Sequence, residues 1–301
     1  MLAPIGMSVY ARLDHVKQAI NALRSNTIAN KSRLHIFSDG PRHGDEAAVK
    51  AMRDYVSTID GFDDVVIIER DNNSRIHNNR GGQKFLLDKF GKVIWMEEDI
   101  VTQRGFLEFM NNALDFYEND ERIFSITGYA PPYELPGDYR SDVFFMRRFC
   151  AWGFGTWRNR YSKINPVINK EEYYEKITNR KFYNKLRSGG HDIPRMIDAD
   201  VHGRIDALDV KIMYQQALCE WYTVYPRKSL VQNIGHDGSG LHCCATDRFN
   251  HDELWSKLSE FKFPEQIALD NRIVTANRRF RRLGFRGELA ELKRRLRMYM
   301  H

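Results

Sequence analysis

Hydrophobic and polar positions recur with two different periods along the first hundred residues. IGMSVY is a short, largely apolar run of the kind a buried strand needs. LDHVKQAINALRS instead returns an apolar side chain every three or four positions, which places Leu13, Val16, Ile20 and Leu23 on one helical face. RLHIFSDG reads as a second strand ending in a turn, DEAAVKAMRDYVSTI as a helix through Ala48, Val49, Met52 and Val56, and DVVIIER as a third strand. A polar loop, SRIHNNRGG, leads to a short helix in GGQKFLLDKF and a strand in KVIWM. Strands alternating with helices of this length predict an α/β fold with a doubly wound, mainly parallel sheet and right-handed crossovers.

Beyond residue 101 the alternation loosens. The pattern predicts a helix to about Tyr117, a strand in RIFSITG, a proline-rich loop APPYELPGDY and a short strand DVFFM, followed by the aromatic and glycine segment CAWGFGTW. A charged helical stretch, NKEEYYEKITNRKFYNKLRSGG, then precedes RIDALDVKIMYQQALC, a strand in WYTVYPRKSLVQNIG and the loop HDGSGLH. With no internal repeat or low-complexity linker, residues 1–245 read as one domain, in which 101–245 complete the first half, 1–100. Residues 246–301 form a helical, basic extension.

At 301 residues, 42% of them hydrophobic, the chain can bury a full core. No apolar run approaches the roughly 20 residues that span a bilayer, and MLAPIGMSVYAR is too short for a secretory signal, so the expectation is a cytoplasmic protein. Cys150, Cys219, Cys243 and Cys244 have no CxxC spacing and are expected to be free thiols. Much of the net charge of +6 sits in NRRFRRLGFRGELAELKRRLRMYMH, where apolar residues are threaded among the cations. That pattern suits either a solvated helix docked on the domain or a segment lying on an anionic membrane. Nucleic acid would suit the charge, but no nucleic-acid motif accompanies it.

In open α/β sheets ligands bind beyond the carboxyl ends of the strands. The tips YAR, SDG and MEED fall on that edge, so Arg12, Asp39 and Asp99 can converge. KVIWMEEDI sets Glu97, Glu98 and Asp99 against an apolar strand. Such acids can open the following helix, or they can wait for a hard cation such as Mg²⁺ or Mn²⁺, which commonly bridges one or two carboxylates to substrate phosphates. Asp39 suits a turn or an acceptor for ribose or base, and Arg12 a surface position or a diphosphate contact. His77 and His242 suit solvent or the same edge. The rings and glycines of CAWGFGTW suit a core or a wall on which a sugar face stacks. Asp206 and Asp209 suit helix capping or a general base.

Taken in order, VYAR-DH, SDG, HNNRGG, IWMEEDI, FFMRRFCAWGFGTWR and LDVKIMYQ followed by YPRKSLVQNIGHDGSGLH resemble bacterial nucleotide-sugar glycosyltransferases of the GT-A fold, from about residue 4 to 245. They resemble eukaryotic N-acetylglucosaminyltransferase I more remotely. The resemblance implies that Asp99 holds the Mn²⁺ or Mg²⁺ on the donor diphosphate, with Glu98 on the metal's waters or the ribose. It implies that Asp39, Arg12 and His77 contact the nucleotide. WGFGTW is similar to the family's WGWATW, which puts Trp152, Gly153, Phe154 and Gly155 beside the donor sugar and acceptor, with Asp206 and His242 close by. Asp209 matches the region of the family's catalytic base, although Leu208 stands where relatives often carry Trp. The implied reaction is inverting transfer from a nucleotide-sugar, UDP-linked by preference, to a saccharide or lipid-linked saccharide. A sugar-phosphate nucleotidyltransferase and a non-enzymatic membrane or nucleic-acid adaptor are the alternative classes.

Overall fold

The largely apolar runs of the first half become four parallel strands, β1 (Ile5–Val9), β2 (Arg33–Ser38), β3 (Asp64–Glu69) and β4 (Lys92–Glu97), in a computed structural model that describes residues 1–238, 245–282 and 284. The helices between them are α1 (Leu13–Arg24), α2 (Glu46–Val56) and α3 (Arg75–Phe90). After a short β5 (Ile100–Thr102) and α4 (Phe106–Phe116) come β6 (Ile123–Thr127), β7 (Val143–Met146) and β8 (Phe154–Trp157). A single-turn α5 (Arg158–Tyr161) precedes α6 (Lys170–Thr178), α7 (Arg180–Ser188), α8 (Ile193–Val201) and α9 (Leu208–Leu218). β9 (Tyr222–Pro226), β10 (Val231–Asn233) and α10 (Asn271–Phe280) complete the described elements.

The main sheet has eight strands in the order β3-β2-β1-β4-β8-β6-β9-β7, and β5 pairs with β10 in a separate ribbon. β8 is antiparallel to both β4 and β6, so it separates the parallel N-terminal half from the mixed remainder. Side chains alternate between the two faces as a doubly wound sheet requires. Met7, Ile94 and Met96 join α1 and α4 on one side; Phe37, Val93 and Trp95 join α3 and α6–α9 on the other. This is the doubly wound, mainly parallel α/β architecture that the periodicity predicts, and it is consistent with the GT-A-like Rossmann fold that the resemblance implies.

Three local expectations change. The polar stretch 75–82 is helical rather than a loop. Ser74 caps α3 by accepting from His77 N, and Asn78 Nδ2 donates to the Phe37 carbonyl at 2.8 Å and to Ser8 Oγ at 3.1 Å, tying the helix to β1 and β2. Gly82 is what lets it approach: a Cβ there would lie 2.6 Å from the Trp95 ring. The charged stretch after residue 169 is two helices broken at Asn179, whose Oδ1 accepts from Lys181 N and Phe182 N.

The C-terminal extension is not helical from its start. Residues 246–270 run irregularly across the α4 face, where Trp255, Phe261 and Phe263 pack into the main core. α10 is then held by Asn277 Nδ2 donating to the Gly189 carbonyl at 2.9 Å. Most of the basic tail, from 285 to 301, lies outside the described residues, as do Cys243 and Cys244. Cys150 and Cys219 are free thiols. Among the described residues no helix is long and apolar enough to cross a membrane.

Candidate active site

The strand order reverses between β1 and β4. The chain leaves β1 toward β2 and β3 on one side and returns with β4 on the other, which opens a crevice above their carboxyl ends. β1 ends there at Val9, and Val9 and Tyr10 bind both neighbours. Val9 O accepts from Asp39 N at 3.1 Å, and Tyr10 N donates to Glu98 Oε2 at 2.7 Å.

Arg12, just before α1, closes the arrangement. Its Nε donates to Glu98 Oε1 at 2.7 Å and its Nη2 to Asp99 Oδ2 at 2.8 Å. Burial works against the Arg12 charge, but Glu98 and Asp99 outweigh it and hold the guanidinium firmly protonated. Both oxygens of Glu98 are therefore used inside the protein, and this residue fixes Arg12 to the end of β1. Burial raises the Glu98 pKa and Arg12 opposes the rise.

Asp99 is different. It is 8% exposed, its backbone carbonyl accepts from Ile234 N, and only Oδ2 is paired; Oδ1 is buried without a hydrogen-bond partner among the described residues. Gly235 seals this side. A Cβ at that position would overlap Asp99 Oδ2 and lie 3.1 Å from Arg12 Nη1, so only glycine lets the chain after β10 pass.

Asp39, at the end of β2, is 4% exposed. Its Oδ1 accepts from Ser74 N at 2.9 Å and Gly40 N at 3.0 Å, and its Oδ2 from Asn73 Nδ2 at 3.3 Å. It thus anchors the start of α3, whose exposed first turn carries Arg75 and His77.

Facing them, Asp209 sits in the first turn of α9, partly exposed. Burial pushes its carboxyl up, against the charges of Arg148, Arg75 and Arg80. Glu97, the last residue of β4, feels Asp209 in turn: burial first, then the negative charges of Asp99 and Asp209, push its pKa up to about 8 while Arg75 opposes. β4, α3 and α9 therefore bring one acid pair and two arginines together. Asp206 lies outside this group, exposed, on Lys211 Nζ and 3.7 Å from Arg80 Nη2; hydrogen bonding to Lys211 lowers its pKa.

CAWGFGTW divides in two. Phe154 and Gly155 are interior sheet residues, paired with Trp95 and Ile94 of β4, and Gly155 leaves room for Leu114 and Met110 of α4. They do not form a pocket wall, because a strand in mid-sheet is covered by helices on both faces. Trp152 and Gly153 precede β8 and so fall on the carboxyl-end edge of β4. The Trp152 ring meets Tyr129 edge-on at 4.5 Å, His236 at 5.3 Å and Phe249 at 5.5 Å.

His236 follows Gly235 directly, and neither ring nitrogen has a hydrogen-bond partner among the described residues. His242 lies outside the described residues. A cavity of about 610 Å³ opens beside β10, lined among others by Gln103, Asn233, His236, Asp237, Asn250 and His251. Asp237 also approaches His15 Nε2 of α1 at 3.2 Å.

Sequence reading missed Tyr10, Ser74, Arg75, Arg80, Arg148, Gly235 and His236, and gave Glu97 only a supporting place. The run IGHDG after a strand and the paired arginines of FFMRRFC were the available signals.

No protein-family model matches the chain, and no curated protein is similar to it in sequence. Among solved structures it is similar to S. aureus TarS at 9% identity and a TM-score of 0.36, over 57% of this chain and 31% of that one. Residues 1–349 of the same protein give 9% identity and a TM-score of 0.36, over 56% and 50%. The chain thus spans half or less of the structures it matches.

Proposed function

We propose that the protein is a GT-A-type glycosyltransferase that moves a sugar from a nucleotide-sugar, UDP-linked by preference, to a saccharide or lipid-linked saccharide acceptor with inversion at the anomeric carbon. The observation that carries this reading is the convergence at the β1/β4 switch point of Arg12, Asp39 and Asp99 with a third acid, Asp209, supplied from α9. Nucleotide binding needs only the first set; a group transfer needs the second.

The residues fit a divalent ion of limited protein ligation. Asp99 has one buried oxygen without a partner, while the described residues contain no cluster of three or more His, Cys, Asp or Glu side chains able to cage a metal. Mg²⁺ and Mn²⁺ are commonly bound in this way, by one or two carboxylates plus substrate phosphates and water. Asp99 would hold the ion, and the ion would supply charge neutralisation to the leaving diphosphate.

The protein's own groups account for the remainder. Arg75 and Arg80 offer positive charge at the start of α3, and Asp39 and His77 offer polar contacts to the nucleoside. Asp209 takes the proton of the acceptor hydroxyl as its oxygen bonds to the anomeric carbon and the carbon–diphosphate bond breaks on the opposite face. Its raised pKa strengthens it as a base once ionised. The cavity at His236 and Asn250, rich in donors and acceptors and free of lysine and arginine among its described lining, suits a neutral polyhydroxyl ring.

Calorimetric titration with UDP, with and without Mn²⁺, tests the reading; no binding in either condition would end it. Release of pyrophosphate from a nucleoside triphosphate and a sugar phosphate would instead assign a nucleotidyltransferase.

A further inference from the structure

Next to Trp152 the molecule gathers positive charge and hydrogen-bond donors that nothing described uses. Arg148 is 8% exposed and is satisfied by Asp192, Nη1 to Oδ1 and Nη2 to Oδ2, both at 2.9 Å. Both carboxylate oxygens are taken by that fork. A second arginine, Arg281, is delivered to the same place by the end of α10, where its backbone N–H closes on the Asn277 carbonyl at 2.8 Å.

Arg281 lies over the Phe249 and Phe280 rings at 5.3 and 5.2 Å. It makes no ion pair among the described residues, and its buried Nε has no hydrogen-bond partner. Two arginines thus share one acid. Tyr129 and Tyr133 complete the set: each hydroxyl is buried without a hydrogen-bond partner among the described residues, and each feels the Arg281 charge. Tyr129 packs on Trp152 and Tyr133 on Phe280, so rings hold all three donors in position.

A partly buried cation that must share its one acid, with a buried Nε lacking an acceptor, and buried hydroxyls without partners are each costly. Their coincidence has a simple remedy, a ligand oxyanion that accepts from all three. The place is also informative. Trp152 stands on the carboxyl-end edge of β4, and the charge of Arg148 reaches Asp209. The cluster therefore lies, through Tyr129 and Trp152, beside the edge at which β4 ends.

We infer that Arg281, Tyr129 and Tyr133 form a binding site for a phosphate group carried by the acceptor, so that the acceptor is a phosphorylated saccharide and not a neutral one. The existence of the site rests on the geometry above; its assignment to an acceptor rests on the glycosyltransferase reading.

Inorganic phosphate is the probe. The full chain, in chloride buffer with and without UDP, should bind it saturably by calorimetry and gain thermal stability. Arg281→Gln, Tyr129→Phe and Tyr133→Phe should each weaken that binding by about tenfold or more, the scale of a lost hydrogen bond to a charged group. Lys50→Gln, on the exposed face of α2, should leave it intact.

The tyrosine variants add a second readout. Each removes a hydroxyl with no partner, so without phosphate their Tm should stay level or rise, whereas a merely structural hydroxyl would lower it. Absence of saturable binding to the wild-type chain, or equal binding by wild type and all three variants, would overturn the site. If UDP fails to bind while phosphate binding behaves as stated, the site stands and its assignment to an acceptor falls. If UDP binds and phosphate does not, only this inference is lost.

Discussion

Gly235 lies so close to Asp99 that any side-chain carbon on it would overlap the carboxylate oxygen that Arg12 holds. The contact joins the chain after β10 to the acid that follows β4. Gly235→Ala must therefore displace either the backbone or the Arg12–Asp99 pair. Overpacking of this kind costs about 1–3 kcal/mol, and we expect a lower Tm together with weakened nucleotide binding. Unchanged urea melts and unchanged UDP affinity would show that the chain after β10 is not pinned against Asp99.

Asp99 and Glu98 should separate under mutation. Asp99→Asn keeps an oxygen for Arg12 but removes a ligand charge, so it should leave the fold standing and abolish the Mn²⁺-dependent part of UDP affinity in calorimetry. Glu98→Ala strips partners from both Arg12 and Tyr10 N. It should cost about 1–3 kcal/mol in chemical denaturation, because the groups left behind are charged or buried. The reverse pattern would exchange their assignments.

Asp209 and Asp206 are three residues apart but differ in surroundings. Asp209→Asn should keep nucleotide and metal binding and lower turnover by roughly 10²- to 10⁴-fold, the usual contribution of a general base. Asp206→Asn weakens a part-buried bond to Lys211, which keeps Asp200 at 3.5 Å, and a 3.7 Å approach to Arg80, and should change turnover by a few-fold at most. Product NMR should find the anomeric configuration inverted; retention would exclude the single displacement.

Glu97 gives the metal-free protein a pH dependence of definite sign. Its pKa rises from the ordinary 4.5 to about 8, so between those values the folded chain holds a proton that the unfolded chain has released. Stability therefore falls as pH rises through this interval and levels off above it, with a slope of at most about 1.4 kcal/mol per pH unit. Glu97→Gln should flatten that slope. Denaturation in chelator at pH 5, 6.5 and 8 measures it, and parallel slopes for variant and wild type would place the proton elsewhere.

The parallel half of the sheet was legible because each of its elements carries its own period, and the edge rule then brought Arg12, Asp39 and Asp99 near one another. Tertiary contacts overrode local pattern elsewhere. HNNRGG reads as a loop through its polar and glycine content, yet Asn78 and Gly82 serve packing against Phe37 and Trp95. WGFGTW reads as a groove, yet a strand direction cannot be seen in four residues, and β8 enters antiparallel between β4 and β6. Gly235 and Arg148 lie far in sequence from the groups they touch, so no local pattern marks them.

The position of β8 has a consequence for how the chain can be made. β4 finds one neighbour, β1, early in synthesis, but its other side must wait for residues 154–157, which emerge only after α4, β6 and β7. Until then Val93–Met96 present an apolar strand with an unpaired backbone edge, the condition that promotes strand addition between chains. A nascent or truncated polypeptide ending near residue 100 should associate through that edge instead of standing alone as a nucleotide-binding module. The segment that closes the edge is the one that also delivers Trp152, so the cover of β4 and the tryptophan at its carboxyl end arrive with the same stretch of chain.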